Sequence, residues 1–162
     1  MDELLFIEDE EAEPPHAAHA KADAGWVVMV VDDDHDVHTI TGMALKHFRF
    51  QGRPLHFIDC YSGDEALAIL PSTPEIALIL LDIVMERIDA GLAVIRALRA
   101  KPAYDRTQIV IRTAAGGYCS RSALEQAGIN GFAWKSEIDK PRLERIVTES
   151  LTAYCAASAR AH

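Results

Sequence analysis

Two continuous apolar runs of strand length, Trp26-Val27-Val28-Met29-Val30-Val31 and Ile76-Ala77-Leu78-Ile79-Leu80-Leu81, each end abruptly in acid, the first at Asp32 and Asp33 and the second at Asp82. Runs without polar alternation belong to strands buried on both faces, which is the condition of a parallel sheet covered by helices. Where two such strands lie parallel, their terminal acids gather at one edge, the edge at which open α/β sheets bind ligands. Three carboxylates held together repel one another unless a cation or a proton relieves them, and oxygen-only ligands suit a hard divalent ion.

The chain has 162 residues, 49% of them hydrophobic, enough to bury one ordinary core and leave a tail. Its formal net charge is −9, but Asp2, Glu3, Glu8, Asp9, Glu10, Glu11, Glu13 and Asp23 fall in residues 1–25 against Lys21 alone, so the remainder is close to neutral. Such a body lacks the clustered Lys and Arg that hold phosphate backbones, which argues against nucleic acid as a partner. Neither apolar run reaches the roughly 20 residues that cross a bilayer, and the N-terminus is acidic where a secretory signal is basic; a cytoplasmic location is the expectation. Cys60, Cys119 and Cys155 show no CxxC pairing and read as free thiols.

Residues 1–25, acidic and interrupted by Pro14-Pro15, read as a disordered tail, 26–157 as a single domain, and 158–162 as a short C-terminal tail. Within the domain, strands at 26–31, 55–60, 76–81, 108–112 and 131–135 alternate with stretches of helical period. The first helix is expected over about 35–50, stopped by Gly52-Arg53-Pro54. Ser62-Gly63-Asp64-Glu65 is a capping box opening a helix to about Leu70. Further helices are expected over 91–100, from Ser122 as a short and mobile piece cut off by Gly128, and behind Pro141 to about Tyr154. Gly116-Gly117 opens a loop. The alternation predicts a doubly wound α/β fold, a five-stranded parallel sheet with right-handed crossovers, for which strand order 2-1-3-4-5 is the common arrangement. That order makes the first and third strands neighbours, so Asp32, Asp33 and Asp82 converge, with Thr113 and Lys135 arriving from the matching ends of the fourth and fifth strands.

Mg²⁺ fits this acid cluster, and a carboxylate beside Mg²⁺ and an ammonium can accept a phosphoryl group while a hydroxyl donates to its oxygens. The segments Val30-Val31-Asp32-Asp33-Asp34, Leu80-Leu81-Asp82-Ile83-Val84-Met85, Val110-Ile111-Arg112-Thr113-Ala114 and Lys135 resemble the CheY-like receiver domain of two-component response regulators. Tyr61-Ser62-Gly63-Asp64-Glu65-Ala66-Leu67 is similar to the opening of that family's second helix. The resemblance implies a phosphoacceptor module, not an enzyme acting on outside substrates, that takes part in its own phosphorylation and dephosphorylation. It implies Asp82 as the acceptor, Asp33, Asp82 and the Val84 carbonyl as Mg²⁺ ligands, and Asp32 acting through water. Thr113, the Ala114 N–H and Lys135 would hold the phosphoryl oxygens, with Thr113 and Phe132 as the switch pair. A histidine kinase or phosphotransfer protein is the implied donor, with a downstream partner or output domain beyond.

Several residues depart from the family pattern. Ser136 follows the lysine where a cis proline is usual, and a cis bond before a non-proline costs about 3–4 kcal/mol, so a trans peptide and a reshaped loop are expected. Glu86 replaces a usual proline after Met85, and Asp89-Ala90-Gly91 is one residue longer than the common Asp-Gly. Together with 48–55 and 129–131, these features resemble a receiver subgroup found at the start of longer signalling proteins, some with cyclic-di-GMP output domains. The resemblance places Val84 and Ala115 where receivers influence attack by water, and neither side chain can orient one by hydrogen bonding, so a long-lived phosphoryl group is expected.

Plainer readings exist for single residues. Asp32 to Asp34 suit a helix N-terminus, which leaves Asp82 unexplained. Phe132 suits ordinary packing, and His35 and His38, three apart, read as surface or partner-facing groups because no further metal ligand accompanies them. For the whole chain, the alternatives are an interaction module that works without phosphorylation and a phosphohydrolase with an aspartyl intermediate. The latter lacks its D-x-D motif, since Ile83-Val84 follow Asp82.

Overall fold

A computed structural model describes residues 24–73, 75–85, 89–114 and 120–161. The acidic stretch 1–23, the Gly116-Gly117 loop, Ala115 and Cys119 lie outside them. Five strands form one parallel sheet in the expected order β2-β1-β3-β4-β5. They are β1 (Trp26–Val31), β2 (Leu55–Cys60), β3 (Leu78–Leu81), β4 (Gln108–Thr113) and β5 (Gly131–Trp134). The helices between and after them are α1 (His35–Ala44), α2 (Gly63–Ile69), α3 (Ala90–Arg99), α4 (Arg121–Ala127) and α5 (Lys140–Ala161).

Strict alternation of side chains across the central strands divides the core in two. Met29, Val31, Ile79, Leu81, Ile109 and Ile111 pack on one face against Leu70, Ile95 and Leu98. Val28, Val30, Leu78, Leu80 and Val110 pack on the other against Leu45 and the α5 residues Leu143, Val147 and Leu151. Each fully buried aliphatic side chain contributes about 1.5–3 kcal/mol, so β1, β3 and β4 form the rigid centre that carries the acids at its edge. No helix among the described residues is long and apolar enough to cross a membrane.

Several element boundaries differ from expectation, among them that of β3, which begins at Leu78 and not at Ile76. α1 stops at Ala44 rather than near residue 50, because the following residues are anchored to β1. Gln51 (φ 53°) and Gly52 (φ 77°) form a tight turn closed by reciprocal Phe50–Arg53 backbone bonds of 3.0 Å. Trp26 Nε1 donates to the Phe50 carbonyl at 2.9 Å, with the Arg53 guanidinium 3.8 Å above the Trp26 ring. α4 is capped two residues earlier than expected, because Ser120 and not Ser122 caps it, accepting from the Ala123 N–H at 3.0 Å. It spans seven residues and ends at Gly128 with φ 114°.

Asp139 caps α5 through the Arg142 N–H at 2.9 Å, and the helix then runs past Tyr154 to Ala161. Residues 158–161, expected as a tail, continue it, since the alanine-rich sequence offers no breaker. β5 ends at Trp134, so Lys135 opens a single 3₁₀ turn (Lys135–Glu137) in place of the proline-bearing loop. No peptide bond among the described residues is cis, in line with Ser136. The capping box at α2 formed as read, with Glu65 N–H to Ser62 Oγ at 3.0 Å and Tyr61 N–H to Glu65 Oε1 at 2.8 Å.

Candidate functional site

Register alone brings the acids together. Val31 pairs with Leu81 and Leu81 with Ile111, so Asp32, Asp82 and Arg112 follow in one row across three strands. The ladder extends into the acids: Asp32 N–H donates to the Cys60 carbonyl at 3.1 Å and Asp82 N–H to the Val31 carbonyl at 2.9 Å. Carboxylate oxygens of Asp32, Asp33 and Asp82 lie within 4.8 Å of one another, Asp32 and Asp82 buried and Asp33 exposed. Asp32 Oδ1 accepts from the Asp34 N–H at 2.9 Å, which curls the chain into α1.

Thr113, Val84 and Lys135 surround Asp82. Thr113 Oγ1 donates to Asp82 Oδ1 at 3.1 Å, and the Val84 N–H reaches the same oxygen at 3.3 Å. Lys135 Nζ lies 3.4 Å from Asp82 Oδ2 and 2.8 Å from Asp32 Oδ2. Ala114 is exposed at the end of β4. Phe132 sits apart from the acids, half-buried on β5, edge-on to Trp134 with ring centroids 5.0 Å apart and the Arg121 guanidinium 5.3 Å from its own.

Burial raises the Asp82 carboxyl above the usual range. Lys135 offsets this, the charge of Asp32 adds to it, and the Val84 N–H and Thr113 hydroxyl offset it further. For Lys135, burial opposes the charged form, but contact with Asp32 and the charges of both acids outweigh it, and its pKa is raised. The Lys135 ammonium, 2.8 Å away, is the ion-pair partner of the buried Asp32 Oδ2. An all-carboxylate donor set and an acid disfavoured as an anion both fit a hard divalent cation. Asp32, Asp33 and Asp82 would hold it.

Three contributors were not anticipated. His38 is buried, not surface-facing: Nδ1 lies 2.7 Å from Asp59 Oδ1 and Nε2 2.7 Å from the Asp32 backbone carbonyl. Tyr61 stacks against both His35 and His38, at 4.3 and 4.2 Å between centroids, so His35 alone keeps an exposed position. Gly91 packs so closely that an added Cβ would meet the Asp82 carbonyl oxygen at 2.5 Å. Arg112 is buried beneath the acids, its Nη1 donating to Thr41 Oγ1 at 2.8 Å. The only sequence signal for it was a cation inside an apolar strand. Burial lowers its pKa, opposed by the charges of Asp32 and Asp82.

Residues 28–148 match the response regulator receiver domain. The chain is 35% identical over 130 residues to a 3'3'-cGAMP-specific phosphodiesterase 2 of Vibrio cholerae, covering 80% of this chain and 25% of that protein. The match therefore spans about a quarter of the length of that curated relative. Among solved structures, a CheY-like receiver domain protein from Methanospirillum hungatei superposes with a TM-score of 0.66 at 19% identity, covering 83% of this chain and 99% of that one. The Mn²⁺-bound form of response regulator Rcp1 superposes with a TM-score of 0.61 at 22% identity, covering 76% and 89%. These two likenesses speak for the fold.

Proposed function

The chain belongs to the response regulator receiver domain family of two-component signalling, and from that premise we propose that Asp82 accepts a phosphoryl group from a histidine kinase or phosphotransfer protein. One observation carries the reading: a buried carboxylate has a hydroxyl donor on one oxygen, an ammonium near the other, and two further acids within metal-sharing distance. An Asp82 oxygen attacks phosphorus, a P–O bond forms as the donor's P–N bond breaks, and the departing imidazole keeps its electron pair and a proton. Thr113 and Lys135 then turn from the carboxylate to the phosphoryl oxygens, where charge develops. Bound Mg²⁺ would supply charge neutralisation on those oxygens, held by Asp33, Asp82 and the Val84 carbonyl, with Asp32 acting through water.

Thr113 and Ala114 begin the segment that would respond, with Phe132 as the aromatic partner of the switch. On the donor side, α1 exposes Ile40 and Met43, 64% and 71% accessible, an apolar surface on the helix that the acid-bearing turn leads into. With Val84 beside the acceptor, water finds no orienting group there, which supports a long-lived phosphoryl state. The Vibrio cholerae relative points to a cyclic-dinucleotide phosphodiesterase as the kind of output such a receiver would govern, with that chemistry in residues beyond the matched stretch.

The test is incubation with acetyl phosphate or a phosphoramidate plus Mg²⁺, followed by intact mass measurement beside Asp82→Ala. A phosphoryl mass gain in the parent protein that the variant lacks is the expected result. No gain with any donor would refute phosphorylation and leave a module regulated by binding alone.

A further inference from the structure

Arg112 is a buried cation of β4, only 6% exposed, and hydrogen bonding does not explain its place. Nη1 meets the Thr41 hydroxyl at 2.8 Å, while the buried Nη2 has no hydrogen-bond partner. Arg99 shows how a structural arginine is held in this fold. Its Nε, Nη1 and Nη2 donate to the carbonyls of Gly128, Tyr104 and Thr107 and to Asn130 Oδ1, at 2.8–2.9 Å. An unmet donor in the interior is costly, so charge must favour Arg112 where hydrogen bonds do not.

That charge belongs to the acid row. Asp32, Asp82 and Arg112 follow Val31, Leu81 and Ile111, which pair across three neighbouring strands, each about 4.8 Å from the next as hydrogen-bonded strands are. The charges of both acids favour the guanidinium against its burial. Its bonded donor goes to Thr41, so the carboxylate oxygens stay available to other partners. Lys135 meets the same two acids at 2.8 and 3.4 Å, but it is partly exposed and its ammonium rides on a flexible stem. Arg112 is enclosed between the sheet and α1 and tied to Thr41, whose own proton goes to the Val37 carbonyl at 2.6 Å. A cation fixed before the reaction stabilises a developing anion without reorganisation.

We propose that Arg112 is a positioning residue of the acid site, a fixed cation beneath Asp32 and Asp82 that weakens Mg²⁺ binding and stabilises the charge a phosphoryl group adds. Phosphorylation adds about one negative charge to the carboxylate that accepts it, and Arg112 and Lys135 then meet that charge together. The phosphoryl half of this inference rests on Asp82 as the acceptor, whereas the metal half rests on the acid cluster alone.

The test compares two affinities of the whole chain at pH 8: Mg²⁺ by tryptophan fluorescence, and fluoroberyllate, an anionic phosphoryl mimic, by ¹⁹F resonances at saturating Mg²⁺. Arg112→Met should bind Mg²⁺ about threefold more tightly or better and fluoroberyllate about threefold more weakly or worse, since the lost charge repelled one and attracted the other. A merely structural role would weaken both. Arg112→Lys, which keeps the charge, should stay within about twofold of the parent on each. Thr41→Asp leaves Arg112 in place and sets a carboxylate against Nη1. It should reproduce the opposed shifts, with Thr41→Asn as the uncharged control, and it decides the matter if Arg112→Met fails to fold. Unchanged or weaker Mg²⁺ binding in Arg112→Met, an Arg112→Lys that matches it, or a Thr41→Asp that binds Mg²⁺ like Thr41→Asn would each overturn the proposal. If the parent takes neither fluoroberyllate nor a phosphoryl group, the acceptor reading fails and the phosphoryl half with it, while the Mg²⁺ comparison still decides the metal half.

Discussion

Lys135 Nζ stands closer to Asp32, at 2.8 Å, than to the acceptor Asp82, at 3.4 Å. The ammonium thus occupies ground that a divalent cation would need, and the two cations compete for Asp32. Lys135→Met should bind Mg²⁺ about three- to tenfold more tightly, by relief of like-charge repulsion. Phosphorylation from acetyl phosphate should nevertheless slow about a hundredfold, since a group stabilising developing charge is lost. Mg²⁺ titration followed by the fluorescence of neighbouring Trp134, alongside timed labelling, measures both; weaker Mg²⁺ binding in the variant would exclude competition.

The Asp82 carboxyl, raised chiefly by burial, ties stability to pH with a definite sign. Its folded-state pKa lies above its unfolded value, so between the two the folded chain binds more protons. Stability is therefore greatest below the ordinary carboxylate range and falls as pH rises through the raised pKa. Asp82→Asn removes the penalty. Without Mg²⁺ the variant should melt higher than the parent at neutral pH, the gap narrowing as pH falls into the carboxylate range and also as Mg²⁺ is added. Melting curves across that range give the answer, and a gap that widens on acidification would contradict the assignment.

How much of this was legible in the sequence follows from the range of each contact. Asp32, Asp82, Thr113 and Lys135 each stand at the end of a strand, so strand order alone brings them together, and the order is the common one for a sheet of this kind. His38 and Arg112 were opaque, because their partners lie 21 residues away in Asp59 and 71 residues away in Thr41. The same limit explains the end of α1. The period of Leu45 and Phe48 continues a helix on paper, but the Phe50 carbonyl is taken by Trp26, 24 residues earlier. Close approach of backbone, as at Gly91, leaves no mark in hydrophobic pattern at all.

His38 ties two elements to the acid turn, joining α1 to Asp59 of β2 and to the carbonyl of Asp32. His38→Ala removes two short hydrogen bonds and leaves a buried carbonyl without its donor, at a cost of about 2–3 kcal/mol. Urea unfolding should show the midpoint falling accordingly. With the turn loosened, Mg²⁺ should bind more weakly, whereas a purely structural role would leave the affinity of the folded fraction unchanged.

Gly91 and Gly42 make a paired test of close approach. A Cβ at Gly91 would lie 2.5 Å from the Asp82 carbonyl oxygen and 2.7 Å from Ile83 Cα, backbone atoms that cannot swing aside, whereas one at Gly42 meets nothing within 4 Å. Both glycines are in helices, where alanine is favoured by about 1 kcal/mol. Gly42→Ala should realise that gain. In Gly91→Ala the overlap should outweigh it and leave a net loss of about 1–3 kcal/mol, as overpacking does. The displaced backbone is that of Asp82 itself, so labelling by acetyl phosphate should fall about tenfold or more in Gly91→Ala and stay unchanged in Gly42→Ala. Equal stability changes in the two variants would mean that the helix and the acceptor turn are less tightly packed than the 3.1 Å bond from Gly91 N–H to the Ile83 carbonyl implies.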